Sequence, residues 1–141
     1  MQKVILDTNV IISSLIQRNF PFLIVYHCVL ENTVDICLSN ELIQEYVDVI
    51  HRPKFSKYPD FLKNAEFVLI NIIKKANIYT PKRKLEILKD SGDNKLLELA
   101  LESGANFIIT GNIKDFDMIE FTGTKIIDPK TYWEDFAFFH P

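Results

Sequence analysis

The chain has 141 residues, 48% of them hydrophobic, with eleven Phe, five Tyr and a formal net charge of −3. This is enough for one domain with a sizeable core, and it excludes a disordered segment. It also excludes a nucleic-acid binder working by global positive charge, so any hold on phosphates must come from a local basic patch or bound cations. Cys28 and Cys37 form no CxxC or metal-ligand pattern, and reduced thiols in a cytoplasmic protein are the expectation. The opening residues lack a signal-peptide layout, and the most apolar stretch, residues 20–30, is too short to span a bilayer, so no membrane partner is expected.

Residues 3–6 are apolar and rich in β-branched side chains, the pattern of a buried strand. Asp7, Thr8 and Asn9 follow, and one of them caps a helix over residues 10–17. A second helix is expected over 22–31, with Pro21 near its first turn, and a second strand over 34–38. Ser39 or Asn40 caps a helix over 41–50 that Pro53 ends. A longer helix covers 61–76, and Ile78 and Tyr79 add a short strand. Asp93 precedes a helix over 94–102 that Gly104 closes. Residues 106–110 form a buried strand and 125–127 a last one, and Pro129 starts a terminal helix to about Phe136. This alternation predicts an α/β fold, a parallel sheet with helices on both faces. In such sheets the site lies beyond the carboxyl ends of the strands, at a topological switch point. Asp7 and the run Thr110-Gly111-Asn112 both end strands and are expected to meet there.

Asp7 by itself reads first as a helix cap, a role that Asp, Thr and Asn all favour, and otherwise as a ligand. On the helix 41–50, Leu42, Ile43, Tyr46, Val47, Val49 and Ile50 share a broad apolar face. Glu45 falls at its border, either lining a cleft rim or standing solvated. Asp93 is placed to cap backbone N–H groups with one oxygen and to bind a cation with the other. Gly111 permits close approach of the backbone to a ligand. Asn112 offers a neutral amide oxygen, and Asp115 follows one turn later. Oxygen ligands of this kind suit Mg²⁺ or Mn²⁺. His27, His51 and His140 show no ligand spacing and read as packing or surface residues.

Four short segments in order resemble the PIN domain (PilT N-terminus) family across nearly the whole chain. They are Val4-Ile5-Leu6-Asp7-Thr8-Asn9-Val10, Leu42-Ile43-Gln44-Glu45-Tyr46, Asp90-Ser91-Gly92-Asp93-Asn94-Lys95-Leu96-Leu97-Glu98-Leu99-Ala100, and Ile108-Ile109-Thr110-Gly111-Asn112. The pattern is most similar to PIN-type toxins of prokaryotic toxin–antitoxin systems. The resemblance implies a single-domain, three-layer Rossmann-like fold over residues 1–141. It further implies an acidic cluster holding Mg²⁺ or Mn²⁺, endoribonuclease activity, a homodimer and a cognate antitoxin. By position, Asp7, Glu45, Asp93 and Asn112 become the catalytic and metal-binding set, with Asp115 as a further ligand and Asn9 and Thr110 as polar supports. Two positions depart from the pattern. Asn112 stands where many PIN domains carry Asp, and Gly92 where a further Asp is frequent.

RNA as substrate needs positive charge near the site. Arg52 and Lys54, with His51 and Lys57, form one basic stretch; Lys82, Arg83 and Lys84, with Lys74 and Lys75, form another. Each reads as a landing surface or as a solvated face. Two further functions fit parts of the pattern. One is a non-catalytic PIN domain that binds RNA or a protein. The other is a phosphatase of the haloacid dehalogenase type, which wants an acid where Asn9 stands. A response-regulator receiver fits less, since no second acid adjoins Asp7 and no Lys ends the strand at Thr110.

Overall fold

The computed structural model describes residues 1–137. The expectations for His140, and for the thiol of Cys28, whose side chain is not described, lie outside the described residues. A six-stranded sheet is built from β1 (Lys3–Leu6), β2 (Asp35–Ser39), β3 (Asn77–Tyr79), β4 (Phe107–Ile109), β5 (Glu120–Phe121) and β6 (Thr124–Ile127). Its order is β3-β2-β1-β4-β6-β5. All pairings are parallel except the hairpin of β5 with β6. The helices are α1 (Thr8–Ile16), α2 (Phe20–Leu23), α3 (Asn40–Ile50), α4 (Phe61–Lys75), α5 (Ser91–Ser103) and α6 (Pro129–Thr131). Right-handed crossovers place α1 to α4 on one face of the sheet and α5 on the other. The result is the three-layer Rossmann-like arrangement.

The strands between the layers carry the core. Val4, Ile5, Leu6, Ile108 and Ile109 are each wholly buried. Buried on both faces, these strands are continuous apolar runs rather than alternating ones. Starting from β1, the chain moves outward through β2 and β3, then α5 carries it back to β4 on the other side of β1. The switch point is therefore the crevice between the ends of β1 and β4, where Leu6 pairs with Ile109.

Four local expectations differ from the structure. The helix expected over 22–31 is α2 followed by a wider turn, Ile24–Val29, with Leu30 N–H donating to Val25 C=O. Ile24 and Val29 are both buried, and side chains five residues apart share a face when bonds run i→i+5. The helix expected to begin after Asp93 begins at Ser91 instead. Asp90 is its cap, accepting from Gly92 N–H at 2.8 Å, and Asp93 sits inside the first turn. The terminal helix is one turn of α6 continued by a wider turn, Tyr132–Phe136. The antiparallel strand β5 was not expected. Its turn, Thr122-Gly123, takes φ of 48° and 92°, the left-handed pair that a tight hairpin needs.

Candidate functional site

Asp7 ends β1 and caps α1, and three donors fix its carboxylate. Thr8 N–H donates to Oδ1 at 2.7 Å; Thr110 Oγ1 and Asn9 Nδ2 donate to Oδ2 at 2.8 and 3.3 Å. Backbone pairing continues past the strand, with Asp7 N–H donating to Ile109 C=O at 3.0 Å. The side chain is buried, and burial raises its pKa above the usual carboxylate value; the hydrogen bond from Thr110 is the largest opposing effect. Asp7 thus serves as cap and cluster member at once, the two readings its position left open.

Asn9 and Thr110 bind the two strand ends into one unit. Asn9 Oδ1 accepts from Gly111 N–H at 2.9 Å while its amide donates to Asp7. Thr110 Oγ1 accepts from Asn112 N–H at 3.0 Å while donating to Asp7. A Cβ on Gly111 would lie 3.1 Å from Asn9 Oδ1, so the close approach favours glycine. With both ends of its amide engaged, Asn9 supplies no general acid of the kind the phosphatase reading needs.

Glu45 projects from the middle of α3, whose cap is Ser39, accepting from Leu42 N–H at 3.1 Å. Its Oε2 accepts from Thr8 Oγ1, and its Oε1 meets Lys95 Nζ at 2.8 Å. The next residue, Tyr46, is buried and donates its hydroxyl to Leu6 C=O at 2.5 Å, tying α3 to the end of β1. Burial, with Asp7 and Glu45 nearby, pushes that phenol well above its ordinary pKa, so it remains a neutral donor.

Asp93 enters from the first turn of α5. Its Oδ2 is buried and has no hydrogen-bond partner, the only such side-chain atom among the described residues. Its carboxyl is raised from 3.8 to about 6, first by loss of solvent and then by the charges of Asp7, Asp90, Asp115 and Glu45. Exposed Asn112 precedes, and exposed Asp115 ends, a short 3-10 turn, Ile113–Asp115, beyond β4.

A cleft of about 560 Å³ gathers these residues. Its lining includes Asp7, Asn9, Glu45, Asp93, Asn112 and Asp115. Asp90, Arg52 and Lys54 line it too. Thr110 stands behind Asp7 rather than in the lining. Lys82 and Arg83 lie elsewhere, in a hollow with Glu98 and Glu102. Exposed Lys84 pairs with Glu41 at 3.1 Å. Of the two basic stretches, only that of Arg52 and Lys54 borders the acidic cleft. Sequence reasoning overlooked Thr8, Asp90 and Lys95. Asp90 carried a signal, an Asp ahead of an apolar-periodic run; Lys95 carried none, because its partner lies 50 residues away.

Among the described residues no three His, Cys, Asp or Glu side chains stand together as a ready-made ligand set. The donors nevertheless suit a hard cation. They are carboxylate and amide oxygens, one of them buried and unpaired. A carboxylate has about four lone-pair sites, so Asp7 Oδ1 and both oxygens of Glu45 keep acceptor capacity beyond the bonds they make.

The chain matches the PIN domain family over residues 3–114 and belongs to it. It is 28% identical to an uncharacterized protein of Methanocaldococcus jannaschii, over 97% of this chain and 93% of that one. Its fold is similar to the crystal structure of VapBC2 from Rickettsia felis bound to a DNA fragment from their promoter. That match has a TM-score of 0.58 and 14% identity, covering 90% of this chain and 98% of that chain. Among the described residues no helix is long and apolar enough to cross a membrane.

Proposed function

We propose that this chain is a Mg²⁺- or Mn²⁺-dependent endoribonuclease, a toxin of the PIN type, hydrolysing RNA phosphodiester bonds in the cleft of Asp7, Glu45 and Asp93. The observation that carries the reading is Asp93 Oδ2, a buried anionic oxygen without a donor, held among other carboxylates. Such an oxygen is costly unless a cation or hydrogen bond offsets it. A divalent cation supplies that offset, and it stabilises charge on a scissile phosphate and lowers the pKa of a nearby water.

The chain's own groups divide the remaining work. Asp7 is the most rigid ligand, oriented by Thr8, Asn9 and Thr110. Glu45 and Asp93 close on it from α3 and α5. Asn112 adds a neutral oxygen and Asp115 a further charge at the rim. Arg52 and Lys54, exposed on the same cleft, offer positive charge to the RNA backbone beside the acidic cluster. The similarity to PIN-type toxins and the fold shared with VapBC2 support a cognate antitoxin; a homodimer and a cytoplasmic setting follow from the resemblance to that family alone.

The test is cleavage of labelled single-stranded RNA by the purified protein in EDTA, Mg²⁺ and Mn²⁺, beside Asp7→Asn. Cutting that requires metal and falls at least about 100-fold in the variant supports the proposal, since one carboxylate of a metal-assisted site carries several kcal/mol. Full activity in Asp7→Asn refutes the site. Asn112, neutral where many PIN domains carry Asp, favours a second reading as an RNA- or protein-binding PIN module. Salt-sensitive RNA binding without cleavage in any metal supports that one.

A further inference from the structure

We infer that Lys95 is a positioning residue of the acidic cleft, its ammonium holding Glu45 Oε1 from outside so that Oε2 is presented to the cation. The inference rests on the metal-centre reading above.

Glu45 is the core carboxylate with the longest reach. Asp7 is fixed at a strand end and Asp93 in a helix first turn, whereas Glu45 stands mid-helix on two methylenes. Its direction therefore depends on what grips its oxygens. Two donors do so, from different sides. Thr8, on Oε2, lines the acidic cleft with Asp7 and Asp93. Lys95, on Oε1, is absent from that lining. It faces a separate hollow of about 500 Å³, shared with Glu41, Gln44, Asp48 and Arg52. Glu45 lines both spaces and forms part of the wall between them.

Helix geometry makes this division possible. Asp93 and Lys95 are two residues apart on α5, about 200° around its axis. One helix therefore sends a carboxylate into the cleft and an ammonium behind the neighbouring carboxylate. Lys95 thereby couples the position of Glu45, on α3, to the helix that carries Asp93. The pair also differs from an ordinary surface ion pair. Its side chains are 21% and 27% exposed, against 75% and 51% for Lys84 with Glu41. Partial burial and a 2.8 Å charge-assisted bond give it a defined geometry. An ammonium on Oε1 leaves Oε2 free to turn from Thr8 to a cation, so holding and ligation coexist. The opposite role, Lys95 competing with the metal for Glu45, predicts the opposite sign on substitution.

The experiment is calorimetric titration of Mn²⁺ into the EDTA-stripped full chain as wild type, Lys95→Met, Lys95→Arg, Glu45→Gln and the Glu45→Gln/Lys95→Met double variant, with thermal melts of each. Groups that orient a metal ligand typically change affinity 10- to 100-fold, so Lys95→Met is expected to weaken Mn²⁺ binding on the order of tenfold. Lys95→Arg restores most of the loss, and Lys95→Met adds nothing once Glu45 is Gln. Equal or tighter binding by Lys95→Met overturns the inference, as does an undiminished loss in the Glu45→Gln background. A wild type that binds no Mn²⁺ overturns the metal-centre reading itself, a result distinguishable from either.

Discussion

Replacing Asp93 by Asn removes a charge that the metal-free fold holds at a cost. Burial, followed by Asp7, Asp90, Asp115 and Glu45, raises the carboxyl from 3.8 to about 6. For a fully buried group a rise of that size corresponds to about 3 kcal/mol between the two protonation states. Asp93 is only half-buried, and solvent screens part of the repulsion, so roughly 1 kcal/mol is expected. The folded carboxyl binds its proton more tightly than the unfolded one. The contribution of Asp93 to wild-type stability therefore falls as pH rises from 3.8 through about 6 and is level above that window. Asp93→Asn lacks this loss. Urea unfolding in EDTA at pH 4 and pH 7.5 measures it, and comparison across pH separates ionisation from fixed effects of the amide. The variant should gain on wild type by roughly 1 kcal/mol between the two conditions. A gap that stays constant, or moves against the variant, refutes the claim that the fold strains this carboxylate.

Three further outcomes are expected. Asn112→Asp adds a charge at the cleft rim, and calorimetry should show Mn²⁺ bound on the order of tenfold more tightly, since ligand charge tunes the affinity of hard-cation sites. Arg52→Ala with Lys54→Ala should weaken RNA binding in filter assays and reduce its salt dependence by about one to two phosphate contacts. Tyr46→Phe leaves Leu6 C=O without its donor and should lower urea stability by about 1–3 kcal/mol, as buried unpaired groups do.

Strand ends were the most legible part of this molecule. A short β-branched run followed by Asp7, and another followed by Thr110-Gly111, mark carboxyl ends of buried strands, and parallel topology brings such ends together. Glu45 was legible as a border residue because α3 has a clear apolar face. The start of α5 was obscured by two candidate caps, Asp90 and Asp93, separated by Gly92, whose poor helix propensity suggests a break. The hairpin of β5 was hidden because Thr122-Gly123 lacks the usual Asn-Gly signal and the strand has only two residues. The contact of Lys95 with Glu45 depends on how α3 and α5 pack across the sheet edge, which no local pattern encodes. The basic run at Lys82 to Lys84 likewise announces charge without saying which face it occupies.

The hydrogen bond from Thr110 to Asp7 joins groups 103 residues apart. At ribosomal rates of 5–20 residues per second, roughly 5–20 s of synthesis separate the two. Throughout that interval the nascent chain carries Asp7, later joined by Glu45 and Asp93, but no β4 to close the cleft beside β1. The order of the segments along the chain thus acts as a timer, withholding the acidic pocket until Thr110 has been made.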